Sequence, residues 1–209
     1  MKNFTVTIAR GFGSGGRTIG KMLAQRLGIE WYDQELIKLA SEESGINIEL
    51  FGKADEHKKA TLFGKYDRNF GDKIIPPDSG EFTSDDNLFN YQAKIIKALH
   101  AKESCVIVGR CADYILRQEP NVLRVFIHAS KECCIRTVAD LYNLSPREAE
   151  RQIDRIDRAR STYYRYYTGQ EWDNAGNYDL CLNSEQLGFE RCVDLIEHYL
   201  KVLYQSDAE

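Results

Sequence analysis

The sequence predicts an α/β domain built on a parallel sheet, and three observations carry that expectation. An apolar alternating run, Phe4 to Arg10, leads through Gly11-Phe12-Gly13-Ser14-Gly15-Gly16-Arg17-Thr18 into a helical pattern from Ile19 to Leu27. An uninterrupted apolar run, Cys105 to Gly109, and the mostly apolar Val122 to Ile127 read as parallel strands buried in the sheet. Between and beyond them, strand-like and helix-like segments alternate. A chain of 209 residues suits one sizeable core with a small inserted lid.

Strand, glycine-rich turn and helix is the context in which backbone N–H groups and a helix N-terminus hold phosphate oxygens. Two templates fit the turn. The pattern G-x-x-x-x-G-K-[ST] matches at Gly11, Gly16 and Thr18, with Arg17 in the lysine position. The dinucleotide pattern G-x-G-x-x-G matches at Gly11, Gly13 and Gly16, with Asp33 near the place of a ribose-binding acid. The basic-then-hydroxyl pair Arg17-Thr18 favours the first. Arg17 presents a positive fork to phosphate oxygens, and Thr18 offers a hydroxyl to a magnesium ion. The turn is thus read as a phosphate-binding loop, with Ser14 and Gly15 completing it.

Further elements follow in order. Gly28 ends the first helix, and Ile29 to Tyr32 is a short strand. Asp33 is placed to cap a helix from Gln34 to Glu43, at the sheet edge where ligands bind. Ile46 to Leu62 has helical character; Phe63 to Ser84, rich in Gly, Asp, Pro and aromatics, is expected to be a mobile substrate-covering segment. A helix begins at Asp85. The buried run then delivers Arg110 and Asp113 to the edge that carries the glycine loop, and Arg110 is expected to bind phosphate. After the strand Val122 to Ile127, Ser130 caps a helix through Tyr142, on which Arg136 is expected to lie over a nucleotide base. Ser145-Pro146-Arg147-Glu148 starts the next helix with a capping box. On it Arg147, Arg151, Arg155 and Arg158 share one quarter of the circumference, opposite Ala149, Ile153 and Ile156. A charged stripe is commonly a solvated face, yet an all-arginine one suits a transferring phosphoryl group. Tyr178 to Leu182 is the last strand and Gln186 to Tyr204 a closing amphipathic helix.

Hydrophobic content of 43% and charged content of 29% describe an ordinary globular protein. A net charge of −4 argues against nucleic acid as the main partner, and the aromatic-basic segment Tyr163 to Gly169 leaves base stacking as a minor alternative. No apolar run has the length of a membrane span, and no signal-peptide core precedes the first strand, so a cytoplasmic protein with no membrane partner is expected. The six cysteines form no C-x-x-C pair and are expected to be reduced thiols.

The stretches Arg10 to Gly20, Tyr32 to Ile37, Val106 to Asp113 and Tyr163 to Leu180 together resemble the cytidylate kinase-like family of nucleoside monophosphate kinases. The resemblance implies one domain over 1–209 with the three-layer P-loop NTPase/kinase fold, a five-stranded parallel sheet, an acceptor-binding insertion about 45–100 and an arginine-rich lid about 143–165. It implies ATP and Mg²⁺, and a small-molecule nucleotide acceptor, CMP or dCMP. Residues 11 to 18 would hold the donor phosphates and Thr18 the metal. Arg110 would contact the acceptor phosphate, Asp33 and Asp113 would lie near the acceptor, and Arg136 near the donor base. Arg17, Arg151, Arg155 and Arg158 would act on the transferring group. Two departures, Arg17 for lysine and Gly109-Arg110-Cys111-Ala112-Asp113 for G-R-D, leave open another small acceptor or a sensor without turnover.

Overall fold

Five strands make one sheet: β1 (Thr5–Arg10), β2 (Glu30–Tyr32), β3 (Cys105–Val108), β4 (Val122–His128) and β5 (Leu180–Asn183). Their order is β2-β3-β1-β4-β5, and every neighbouring pair is parallel. The computed structural model describes residues 3–56 and 70–204. The helices are α1 (Gly16–Leu27), α2 (Glu35–Ser44), α3 (Ile48–Glu56), α4 (Asp85–Lys102), α5 (Ala112–Ile115), α6 (Lys131–Tyr142), α7 (Pro146–Thr168) and α8 (Ser184–Tyr204).

The sheet is apolar on both faces, so both must be covered. Val6, Ile8, Val106, Val108, Val125 and Ile127 turn one way and pack with Ile19 and Leu23 of α1 and Val193 and Ile196 of α8. Cys105 and Ile107 turn the other way, against Phe89 and Ile96 of α4, Ile115 of α5 and the tyrosines of α7. This is the expected three-layer α/β architecture. Because β1 lies between β3 and β4, the chain leaves it for one half of the sheet and later crosses to the other. The strand order reverses there, and the carboxyl end of β1 opens a crevice between diverging connections.

Local chemistry explains the boundaries. Gly28 closes α1 in a left-handed conformation. Ser130 caps α6 by accepting from the Cys133 N–H. Ser145 and Glu148 form the expected capping box of α7, with Pro146 in its first turn.

Three expectations are corrected. Asp33 does not cap a helix: α2 starts at Glu35 without a side-chain cap, because the Asp33 carboxylate is engaged by arginine. The helix expected over Ile46 to Leu62 is α3, Ile48–Glu56, and 57–62 lie outside the described residues. The expected mobile cover divides likewise. Residues 63–69 lie outside the described residues, but 70–84 are tied down by the fully buried Asn87. Its carboxamide accepts from the Ile75 N–H at 2.8 Å and donates to the carbonyls of Phe82, at 2.7 Å, and Ile75, at 3.2 Å.

Candidate active site

The glycine loop joins β1 to α1 at the crevice. The Gly11 N–H donates to the Ile127 carbonyl at 3.1 Å, and the Ser14 hydroxyl reaches the carbonyls of Gly11 and Ile127. These bonds fix the loop from inside. Gly15 stands at φ 78°, where a Cβ would be strained and would lie 2.3 Å from the Phe189 ring. The start of α1 is then left open. Among the described residues no side chain caps it, and its first turn holds Arg17 and no acid. A bare row of N–H groups beside a cation, at the positive end of a helix, is a place for an anion. Thr18, exposed in the same turn, offers a hard hydroxyl oxygen of the type magnesium takes.

Across the sheet edge runs a set of guanidinium and carboxylate groups. Arg17 Nε meets Asp33 Oδ2 at 2.7 Å, and its guanidinium lies 5.6 Å from the Trp31 ring centroid. Arg10, the last residue of β1, reaches over the end of β3: a Cβ on Gly109 would fall 2.1 Å from its Nη1. Its Nη2 comes only to 3.9 Å from Asp33 Oδ1. Arg160 donates to the Arg10 carbonyl and to Asp157, both at 3.1 Å. Asp157 accepts the Phe12 N–H at 2.9 and 3.1 Å, so α7 is braced directly on the glycine loop.

The electrostatics of this set lean positive. Burial, then the charge of Arg160, pushes the Arg10 guanidinium down to about 9 from its ordinary 12.5. Burial also lowers Arg110 and Arg160. The Asp157 carboxyl is raised by burial, against the pull of Arg160 and the Phe12 N–H. A protein that holds guanidinium groups at this cost favours a ligand that brings negative charge.

These features invite comparison with known proteins, and the sequence model of the cytidylate kinase-like family matches residues 5–186. The chain belongs to that family. A curated cytidylate kinase from Methanosarcina barkeri is 25% identical over 194 residues, covering 92% of this chain and 93% of that protein. Among solved structures, an uncharacterized protein from Eubacterium ventriosum matches with a TM-score of 0.69 at 25% identity, over 95% of this chain and 99% of the other. A shikimate kinase from Bacteroides thetaiotaomicron matches at 0.55 and 16% identity, over 95% and 98%, and is a likeness of fold. The fold is that of the P-loop kinases.

Within this family member the expected site residues divide. Residues 11 to 18, Asp33 and Arg110 meet at one crevice. Arg136 does not join them: it is exposed and pairs with Glu185 at 3.4 Å, on the flank of the loop formed by α6 and α8. Asp113 is buried beneath the edge, where it accepts from the Tyr164 hydroxyl at 2.6 Å, and burial raises it to about 6. There it ties α5 to α7.

The arginine stripe faces outward. Arg147, Arg151, Arg155 and Arg158 are all exposed. At about 100° per residue they sit roughly 160–240° around α7 from buried Ala149, whereas Arg160 sits about 20° from it. The continuous helix therefore turns Arg160, with Asp157, onto the loop and the stripe into solvent. Sequence reasoning missed Arg10, Asp157 and Arg160. The helical wheel held the signal for the last two, an acid and an arginine three residues apart on the apolar side.

Proposed function

We propose that this chain is an ATP-dependent phosphotransferase whose acceptor is a nucleoside monophosphate, with CMP or dCMP first in order. The observation that carries the reading is the uncapped start of α1 facing the arginine-lined edge of β1 and β3. Donor phosphates belong on the N–H groups of residues 13 to 18, and the acceptor on the Arg110 side of the crevice. An oxygen of the acceptor phosphate attacks the γ-phosphorus, a new P–O bond forms, and ADP departs with the electron pair of the bond that breaks. Mg²⁺, held in part by Thr18, would neutralise donor phosphate charge.

The residues supply position and charge rather than a dedicated base. Arg17 swings from Asp33 toward the phosphates, a role usually given to lysine. Arg160, already on the loop, is the lid cation best placed for the charge that develops on the transferring group; an arginine in that role is worth about 10³-fold or more. Arg151, Arg155 and Arg158 contribute only if α7 rotates on closing. Residues 45–100 form the acceptor-binding insertion and 143–165 the lid of a single domain over 1–209.

ADP release measured with ATP, Mg²⁺ and a panel of nucleoside monophosphates tests this. Stimulation by CMP or dCMP well above the other acceptors is the expected result. ATP binding without stimulation by any monophosphate would refute it in favour of a sensor or a kinase of another acceptor.

A further inference from the structure

Two side chains at the crevice are built at a cost that no role assigned so far explains. Arg10 follows the sheet edge from β1 across β3, yet Asp33 is already taken by Arg17 at 2.7 Å and leaves Arg10 a contact of 3.9 Å, longer than a hydrogen bond. The Arg10 side chain is 19% exposed. Tyr163, on α7, is 8% exposed, and its hydroxyl has no hydrogen-bond partner among the described residues. Its ring packs edge-on against the stacked rings of Phe89 and Tyr167, with centroids at 5.9 and 4.9 Å. The ring packs in the same core cluster as Cys111, the residue that follows Arg110 beyond the end of β3. A buried hydroxyl without a partner is costly and uncommon, and it calls for an acceptor atom from outside the chain.

The position of the charge says which end of the ligand is anionic. Arg10 adjoins Gly11 in the chain, and its carbonyl receives Arg160, so these cations stand at the mouth of the loop where transfer takes place. An acceptor with a neutral hydroxyl at its reacting end and a remote carboxylate would leave them unmatched. We propose that Arg10 and Tyr163 complete the acceptor subsite beside Arg110: Arg10 grips the phosphate that receives the phosphoryl group, and Tyr163 donates its hydroxyl hydrogen to the same ligand. This rests on the kinase reading above and narrows it to acceptors whose reacting oxygen belongs to a phosphate monoester.

The test uses Tyr163→Phe, Arg10→Gln and Arg10→Lys in the full chain. Steady-state KM for CMP and for ATP, calorimetric CMP affinity and thermal stability are measured on each. Tyr163→Phe is expected to raise the CMP KM and Kd about 10- to 100-fold, as for loss of a hydrogen bond to a charged group, with the ATP KM within about twofold. Its melting temperature should not fall, because the deleted hydroxyl satisfies nothing in the free protein. Arg10→Gln should weaken CMP in the same manner, and Arg10→Lys should restore it only in part, because an ammonium cannot fork. Wild-type turnover of CMP with KM unchanged in both Tyr163→Phe and Arg10→Gln would overturn this proposal and leave the kinase reading standing. If no monophosphate is turned over, calorimetry decides. CMP binding lost in the variants supports the subsite although the kinase reading fails, and no CMP binding by the wild type overturns both.

Discussion

Replacing Asp113 by asparagine separates a brace from a substrate contact. Asp113 is 5% exposed, accepts the Tyr164 hydroxyl at 2.6 Å, and is raised from 3.8 to about 6, burial being the largest cause. A carboxyl raised on folding contributes stability that is complete below its unfolded pKa and lost as pH rises through the folded one. Moving the titration from 3.8 to about 6 corresponds to about 3 kcal/mol, at about 1.36 kcal/mol for each pH unit. Roughly half of that is lost between pH 5 and pH 8. Asparagine keeps an oxygen for Tyr164 and does not titrate. In urea unfolding at the two pH values, the stability of Asp113→Asn relative to wild type should therefore improve by about 1 kcal/mol from pH 5 to pH 8. Other titrating groups cancel in the difference. A difference that stays flat with pH would refute the buried-carboxylate argument, and a CMP KM raised tenfold would return Asp113 to the acceptor site.

Other outcomes follow from the same geometry. Arg160→Ala should lower kcat by about 10³-fold or more, whereas Arg158→Ala, on the outer face of α7, should stay within about twofold; equal losses in steady-state assays would mean that α7 turns over on closing. Arg17→Ala should cut turnover about 100-fold with stability inside about 1 kcal/mol, since its pair with Asp33 leaves the arginine 56% exposed. Gly15→Ala should cost about 2 kcal/mol or more in denaturant unfolding and abolish calorimetric ATP binding, because its Cβ meets the Phe189 ring at 2.3 Å in a left-handed backbone.

What could be read without coordinates was local or periodic. Ser130, Ser145-Pro146-Glu148 and Gly28 announce helix ends through bonds spanning a few residues, and all three did so here. The buried runs at Cys105 and Val122 and the glycine loop between strand and helix were legible for the same reason. Asp33 was placed at the correct edge, but its partner Arg17 lies across two elements, and an N-cap was the nearest local alternative. Arg10 ended a strand and so looked like an alternation residue; only the parallel neighbours β3 and β4 show that it lies at the crevice. The 70–84 segment has no period at all, because the side chains of Asn87 and Asn90 hold it through backbone bonds that its own residues do not advertise.

Transfer of labelled γ-phosphoryl from ATP to CMP, with the products separated chromatographically, tests the central claim most directly. Label appearing in CDP, dependent on Mg²⁺ and lost in Arg17→Ala, is the predicted result. Label that stays in ATP, or appears only as inorganic phosphate whatever monophosphate is present, would contradict it.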